Sequence, residues 1–301
     1  MILVTGGTGV VGSSIVAELK KQGQSVAVLG RDAARIERAF GGSVEARAGD
    51  VTQPDSLTAA FGGMDIVINA VQFPTSPIEV PRRGWTFENV DYKGTANQVD
   101  AAKAAGVKRF VYVSAVGADL NGPKHWFRFK AMAEQHLQQS GLEWTIVRPT
   151  WIYGPRDSSL NRLLGFTNFL PFLPFFGDGK QDMQPVFVED IGRIVAQAAT
   201  APEAANQLFE IGGPEVMSMN QVMQTGLDVM GRKRFILHQP LAIGKLIGTL
   251  ASLQPLVTPP LTADAVDFIS RPAVADNTNL MNLLKPDLTP LRQGLETYLR
   301  K

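Results

Sequence analysis

Apolar residues in this chain fall in short unbroken runs and in helical stripes, and the two alternate. Ile2, Leu3 and Val4 form an aliphatic run of strand length, and beyond a glycine-rich gap Ile15, Val16 and Leu19 recur at helical spacing. Further runs at 25–29, 44–48, 65–71, 108–114 and 144–147 predict five more strands. Pro54 opens a short helix from its first turn, residues 85–105 predict a long helix ended by Gly106, and residues 126–139 predict another, stopped by Gly141. Arg148 and Pro149 are expected to break the sixth strand. Strands without polar alternation, separated by helices, predict an α/β fold. It is a Rossmann-type doubly wound parallel sheet whose ligand lies beyond the strands' carboxyl ends.

The pattern changes at Thr150. Prolines and aromatics crowd 166–176, and the βα alternation is not expected to continue. Residues 1–150 are therefore assigned to the doubly wound domain. Residues 151–301 form a smaller α+β substrate or lid region, interleaved with the first rather than independent. This region should hold strands near 185–188 and 208–211, helices near 190–199, 219–230 and 241–252, and a closing helix capped by Thr289 with Pro290 at its first position. The 241–250 stretch is apolar nearly all round and too short to span a bilayer, so it predicts a core or interface helix, with a membrane-surface or partner-docking face as the alternative.

Composition narrows the function. The 301 residues carry a formal charge of +1, which gives no electrostatic argument for a nucleic-acid partner. With no cysteine and three histidines, neither a disulfide framework nor a metal centre is expected. No basic segment precedes an apolar one at the start, so a secretory signal is not expected and the assignment is cytoplasmic.

The candidate chemistry sits in the first turn. Gly6 allows a tight turn, Gly9 lets backbone N–H groups approach a pyrophosphate, and Gly12 lets the helix pack close to the strand. Thr8, Val10 and Val11 complete the loop and the helix N-terminus, whose free N–H groups favour an anion. At the second strand's end Gly30 leaves the usual acidic position empty. Arg31 offers a planar fork to a 2′-phosphate, although Asp32 could still reach a ribose, so NADP(H) is favoured over NAD(H). Asp50, Val51, Ala70 and Val71 end neighbouring strands and should line the same cleft. Asp50 has an alternative use as the cap of its own turn.

Several motifs then converge. The 5–12 glycine run, Asp50-Val51, Asn69-Ala70-Val71, Asn89-Val90 with Gly94-Thr95, Tyr112-Val113-Ser114, Arg148-Pro149 and Tyr153-Gly154-Pro155 resemble the extended and atypical short-chain dehydrogenase/reductase superfamily. The stretches 113–119, 185–191 and 209–214 most resemble its branch holding the accessory subunit of respiratory complex I and free-standing bacterial relatives. The resemblance implies NAD(P)(H) binding, in a branch where many members have no demonstrated turnover. It also implies a catalytic Tyr four residues before a Lys, with a Ser at the end of the fifth strand. Here Ser114 and Lys130 are present, but Trp126 stands at the Tyr position. An indole N–H does not act as an acid or base in this pH range, and losing a positioned acid costs about 10²–10⁴ in rate. The expected function is NADP(H) binding with weak or no ordinary reductase activity. The alternative is an oxidoreductase for a bulky apolar carbonyl or enone, with a desolvated Lys130 or the adjacent His125 moving the proton.

Overall fold

The structure is a computed structural model that describes residues 1–252 and 262–300. Six strands, β1 (Ile2–Thr5), β2 (Val26–Gly30), β3 (Glu45–Ala48), β4 (Ile66–Asn69), β5 (Arg109–Val113) and β6 (Glu143–Pro149), join the Gln207–Ile211 strand in one seven-stranded sheet. All its pairings are parallel, and the order runs Gln207–Ile211, β6, β5, β4, β1, β2, β3. The chain builds outward from β1 in both directions, so the sheet's switch point lies between β1 and β4, where such folds hold a ligand.

Alternation of side chains across the pleat sorts the core into two layers. Ile2, Val4, Val26 and Val28 face Ile15, Val16 and Leu19 of α1 (Val10–Lys21) and Ile191, Ile194 and Val195 of the Val188–Thr200 helix. Leu3, Ala27, Leu29 and Val67 face the other side. They pack there on Leu57 and Phe61 of α3 (Leu57–Phe61), Val99 and Ala102 of α4 (Gly94–Ala104), and Ala133 and Leu137 of α5 (His125–Gln138). Helix α2 (Ala33–Phe40) follows β2. Each fully buried aliphatic side chain contributes about 1.5–3 kcal/mol of transfer free energy, so strands buried on both faces stabilise the sheet strongly.

Four expectations are corrected. The long helix does not begin at Trp85: Thr86 caps it, Phe87–Lys93 forms wide π-type turns, and only from Gly94 is it α-helical. Trp85 stays outside, bridged to Val80. Arg148 and Pro149 do not break β6, because Pro149 takes the last place in the ladder opposite Ile211, where no further bond is required of it. The alternation does not stop at Thr150. The Val188–Thr200 helix packs on α1, with Gly192 so close that a Cβ would meet the Ser14 carbonyl carbon at 2.9 Å, and Gln207–Ile211 extends the main sheet beside β6. Finally, Pro290 is the cap of the Leu291–Leu299 helix rather than its first residue, because Thr289 spends its N–H and hydroxyl on the Asp190 carboxylate (2.7 and 2.9 Å). Among the described residues no helix is long and apolar enough to cross a membrane.

Candidate dinucleotide and redox site

The turn after β1 is shaped by backbone contacts. Gly6 has φ +73°, and a Cβ there would meet the Ala70 carbonyl oxygen at 2.6 Å and the Val71 nitrogen at 2.9 Å, so the β1 and β4 ends touch through it. The Gly9 N–H donates to the Gly6 carbonyl at 2.9 Å. A Cβ on Gly12 would strike the Gly6 carbonyl oxygen and lie 2.8 Å from Gly7 Cα, so only glycine lets α1 sit this close. Thr8 completes the loop, and Val10 and Val11 open α1, which has Gly9 as its cap, no side-chain cap and no acid in its first turn. Its N–H groups therefore stay available to an anion. This cradle, closed to side chains and open to a diphosphate, fits a dinucleotide.

Asn69 pins the β4 side of the cleft. Its carboxamide oxygen accepts from Thr5 Oγ1 (3.2 Å) and the Val71 N–H (3.0 Å), while its Nδ2 donates to Thr95 Oγ1 (2.9 Å). Arg156 reaches over α1 to the Gly9 carbonyl (3.0 Å) and Ser13 Oγ. Sequence reasoning gave Arg156 no role, because its partner lies 147 positions away. At the end of β2, Asp32 caps α2 by accepting from the Arg35 N–H (3.3 Å) and lies 3.8 Å from Arg38. Arg31 is exposed one residue earlier. The Asp50 carboxylate accepts from Thr52 N–H (2.9 Å) and Oγ1 (2.8 Å), which is the capping role weighed for it, while Val51 is buried against Gly94.

Ser114 after β5, and Trp126 and Lys130 on α5, are each buried. Lys130 Nζ donates to Asp91 Oδ1 at 2.7 Å and lies 5.6 Å from the Tyr112 ring centroid. Burial alone would lower the Lys130 pKa, but Asp91 and Tyr112 turn the net direction upward and hold the ammonium form. Burial raises the Asp91 carboxyl against the pull of Lys130. It also pushes the Tyr112 phenol up to about 12. The neutral amine invoked for a desolvated Lys130 is therefore disfavoured, which corrects the idea that burial frees it as a base. Asp91 Oδ2, Ser114 Oγ and Trp126 Nε1 are each buried without a hydrogen-bond partner, polar atoms that a ligand could satisfy.

Trp126 is 3% exposed and packs with Phe73, Phe87 and Val90, with Phe268 ring-to-ring at 5.9 Å. His125 lies edge-on to Trp126 at 5.2 Å and shares a hydrogen bond with Glu79 Oε2 at 2.8 Å. The roles of Asp91 and Glu79 escaped the sequence reading. Asp91 left a signal: buried positions Phe87, Val90, Asp91, Gly94, Thr95, Gln98 and Val99 keep a helical period, and a carboxylate inside such a stripe demands a partner.

Residues 6–168 match the family described as NAD(P)H-binding. An NAD(P)H azoreductase of Xenophilus azovorans is 33% identical over 236 residues, 77% of this chain and 74% of that protein. The mitochondrial NADH dehydrogenase (ubiquinone) 1 alpha subcomplex subunit 9 of Arabidopsis thaliana is 30% identical over 249 residues, 80% of this chain, which spans 61% of that relative's length. In fold, the chain superposes on the Citrobacter sp. triphenylmethane reductase complexed with NADP(H) with a TM-score of 0.77 at 19% identity, covering 99% of this chain and 100% of that one. The glycine cradle, the parallel sheet and these matches agree: the chain belongs to the NAD(P)H-binding family, within the atypical short-chain dehydrogenase/reductases.

Proposed function

We propose that the protein binds NADP(H) in this cleft and has little or none of the proton-coupled carbonyl reduction typical of its superfamily. The single observation that carries this is the pairing around α5: a buried indole four residues before Lys130, and a Lys130 ammonium held by Asp91 at 2.7 Å. Such a reduction needs a proton delivered to the developing alkoxide. Trp126 does not release one in this pH range, and the raised pKa of Lys130 makes its proton hard to give up. Bound nicotinamide supplies hydride chemistry. The NADP(H) preference is supported by the second strand's end, where Gly30 carries no acid, Asp32 is engaged in capping α2, and Arg31 is exposed.

A second reading is favoured by one observation. His125 is bonded to Glu79 and faces the aromatic cluster of Trp126, Phe129 and Phe87. A histidine oriented by a carboxylate is a competent proton donor, and the cluster suits a bulky apolar acceptor. The azoreductase relative supports this alternative.

A thermal titration tests the binding. NADPH at a hundred times its dissociation constant adds about 2.7 kcal/mol, a rise of about 4 °C in Tm. NADH at equal concentration should give less, and Arg31→Ala should bring the two together. No shift with either nucleotide would overturn the reading; a larger shift with NADH would overturn the preference. Turnover with aldehydes, ketones, quinones and azo compounds separates the two chemical readings, because activity that disappears in His125→Ala supports only the second.

A further inference from the structure

The Leu241–Ser252 helix turns its bulk outward. Its inner positions are glycines: a Cβ on Gly244 would meet Phe176 Cγ at 2.7 Å, and one on Gly248 would meet the Ala263 nitrogen at 2.6 Å. Lys245 also turns toward the protein, to Asp267 at 2.6 Å. Ile243, Leu246, Ile247 and Leu250, spaced as one helical stripe, are 44%, 60%, 46% and 57% exposed. The preceding strand adds to this, since Phe235 and Leu237 are also exposed, and Phe169 is 88% exposed in the turn whose Thr167 and Asn168 are bonded by Arg232 (2.7 and 2.6 Å). Apolar surface of this extent marks an interaction site rather than ordinary scatter.

Charge identifies the occupant. Residues 229–263 hold four cations and no Asp or Glu; Arg232 is bonded to Thr167 and Asn168 and Lys245 to Asp267, which leaves Lys233 and Arg234 as the outward charge of this stretch. Lys233 and Arg234 are exposed beside Phe235. A second copy docking by a two-fold axis would set this basic run against itself, which is repulsive. Protruding single side chains such as Phe169 suit a deformable surface that needs no matching pocket. We propose that this face docks on an anionic lipid surface, with Phe169, Phe235, Leu246 and Leu250 entering the headgroup layer and Lys233 and Arg234 meeting lipid phosphates. It lies on the surface without spanning the bilayer.

The test is flotation of the full chain with vesicles of phosphatidylcholine alone and of phosphatidylcholine mixed with phosphatidylglycerol. Binding is expected on the anionic vesicles, weakening as salt rises. Leu246→Ser with Leu250→Ser, and separately Lys233→Glu with Arg234→Glu, should each lower the partition by about tenfold or more. Circular dichroism and melting temperature should stay unchanged, because all four side chains are exposed. Absence of binding to either vesicle, or undiminished binding by both variants, would overturn the proposal. So would a concentration-dependent dimer in sedimentation that the double serine variant abolishes, or an acidic protein competing away all vesicle binding at equal ionic strength.

Discussion

Asp91→Asn probes how Lys130 is held. The parent buries the pair almost completely, with side chains 10% and 0% exposed and 2.7 Å between Nζ and Oδ1. Asparagine keeps the volume and an acceptor oxygen but removes the counter-charge, leaving an ammonium enclosed without one. Breaking a buried pair from one side costs about 3–5 kcal/mol, which in a chain of this size corresponds to a melting temperature lower by about 5–8 °C. The pH dependence should also change sign. In the parent the folded Lys130 pKa lies above its unfolded value, so its contribution is complete below about pH 10 and is lost as the pH rises through the folded value. In the variant burial is opposed by Tyr112 alone, the folded pKa is expected to fall below the unfolded one, and the unfolded state then binds more protons between them. Stability should then rise with pH across that window. Urea unfolding at about pH 7 and about pH 9.5 measures both effects. Adding Lys130→Met should recover most of the loss, because it removes the stranded charge. A single variant within about 1 kcal/mol of the parent, or a double variant no better than the single, would refute the buried ion pair.

Three further outcomes can be checked. Gly12→Ala places a Cβ against the Gly6 and Gly7 backbone and should cost about 1–3 kcal/mol while abolishing the NADPH-induced rise in Tm; a full rise in the variant would disprove the cradle. Trp126→Tyr should raise carbonyl reduction from background by about 10²–10⁴, and a parent rate already equal to the variant's would discard the role given to the indole. Asp267 bridges Lys124 and Lys245, and against the upward push of burial these cations hold its pKa below the ordinary value. Its clasp is therefore complete above about pH 4 and lost as the pH falls further, and Asp267→Asn should speed hydrogen exchange across the 241–252 helix at neutral pH. Unchanged exchange would count against the clasp.

The cradle was legible in the sequence because every requirement for it is local. A tight turn, a close backbone approach and a helix start lie within twelve residues, and each demands glycine or an aliphatic run at a fixed offset. Ser114 and Lys130 were singled out through the resemblance to the superfamily's signature and not through periodicity. Asp91 was not, because what a buried carboxylate does depends on a partner 39 positions away. The same holds for Arg156 over Gly9 and for Glu79 beside His125.

The sequence by itself determined the βα alternation and the parallel sheet with its glycine turn, because periodicity and side-chain chemistry are properties of neighbours along the chain. Only the tertiary structure decided that Gln207–Ile211 joins β6, that Lys130 is clamped by Asp91, and that the Leu241–Ser252 helix hides its glycines while exposing its leucines. Those outcomes depend on which distant segments share space. An all-round apolar helix gives no preference of its own for either face, so packing against Phe176 and Ala263 makes the choice.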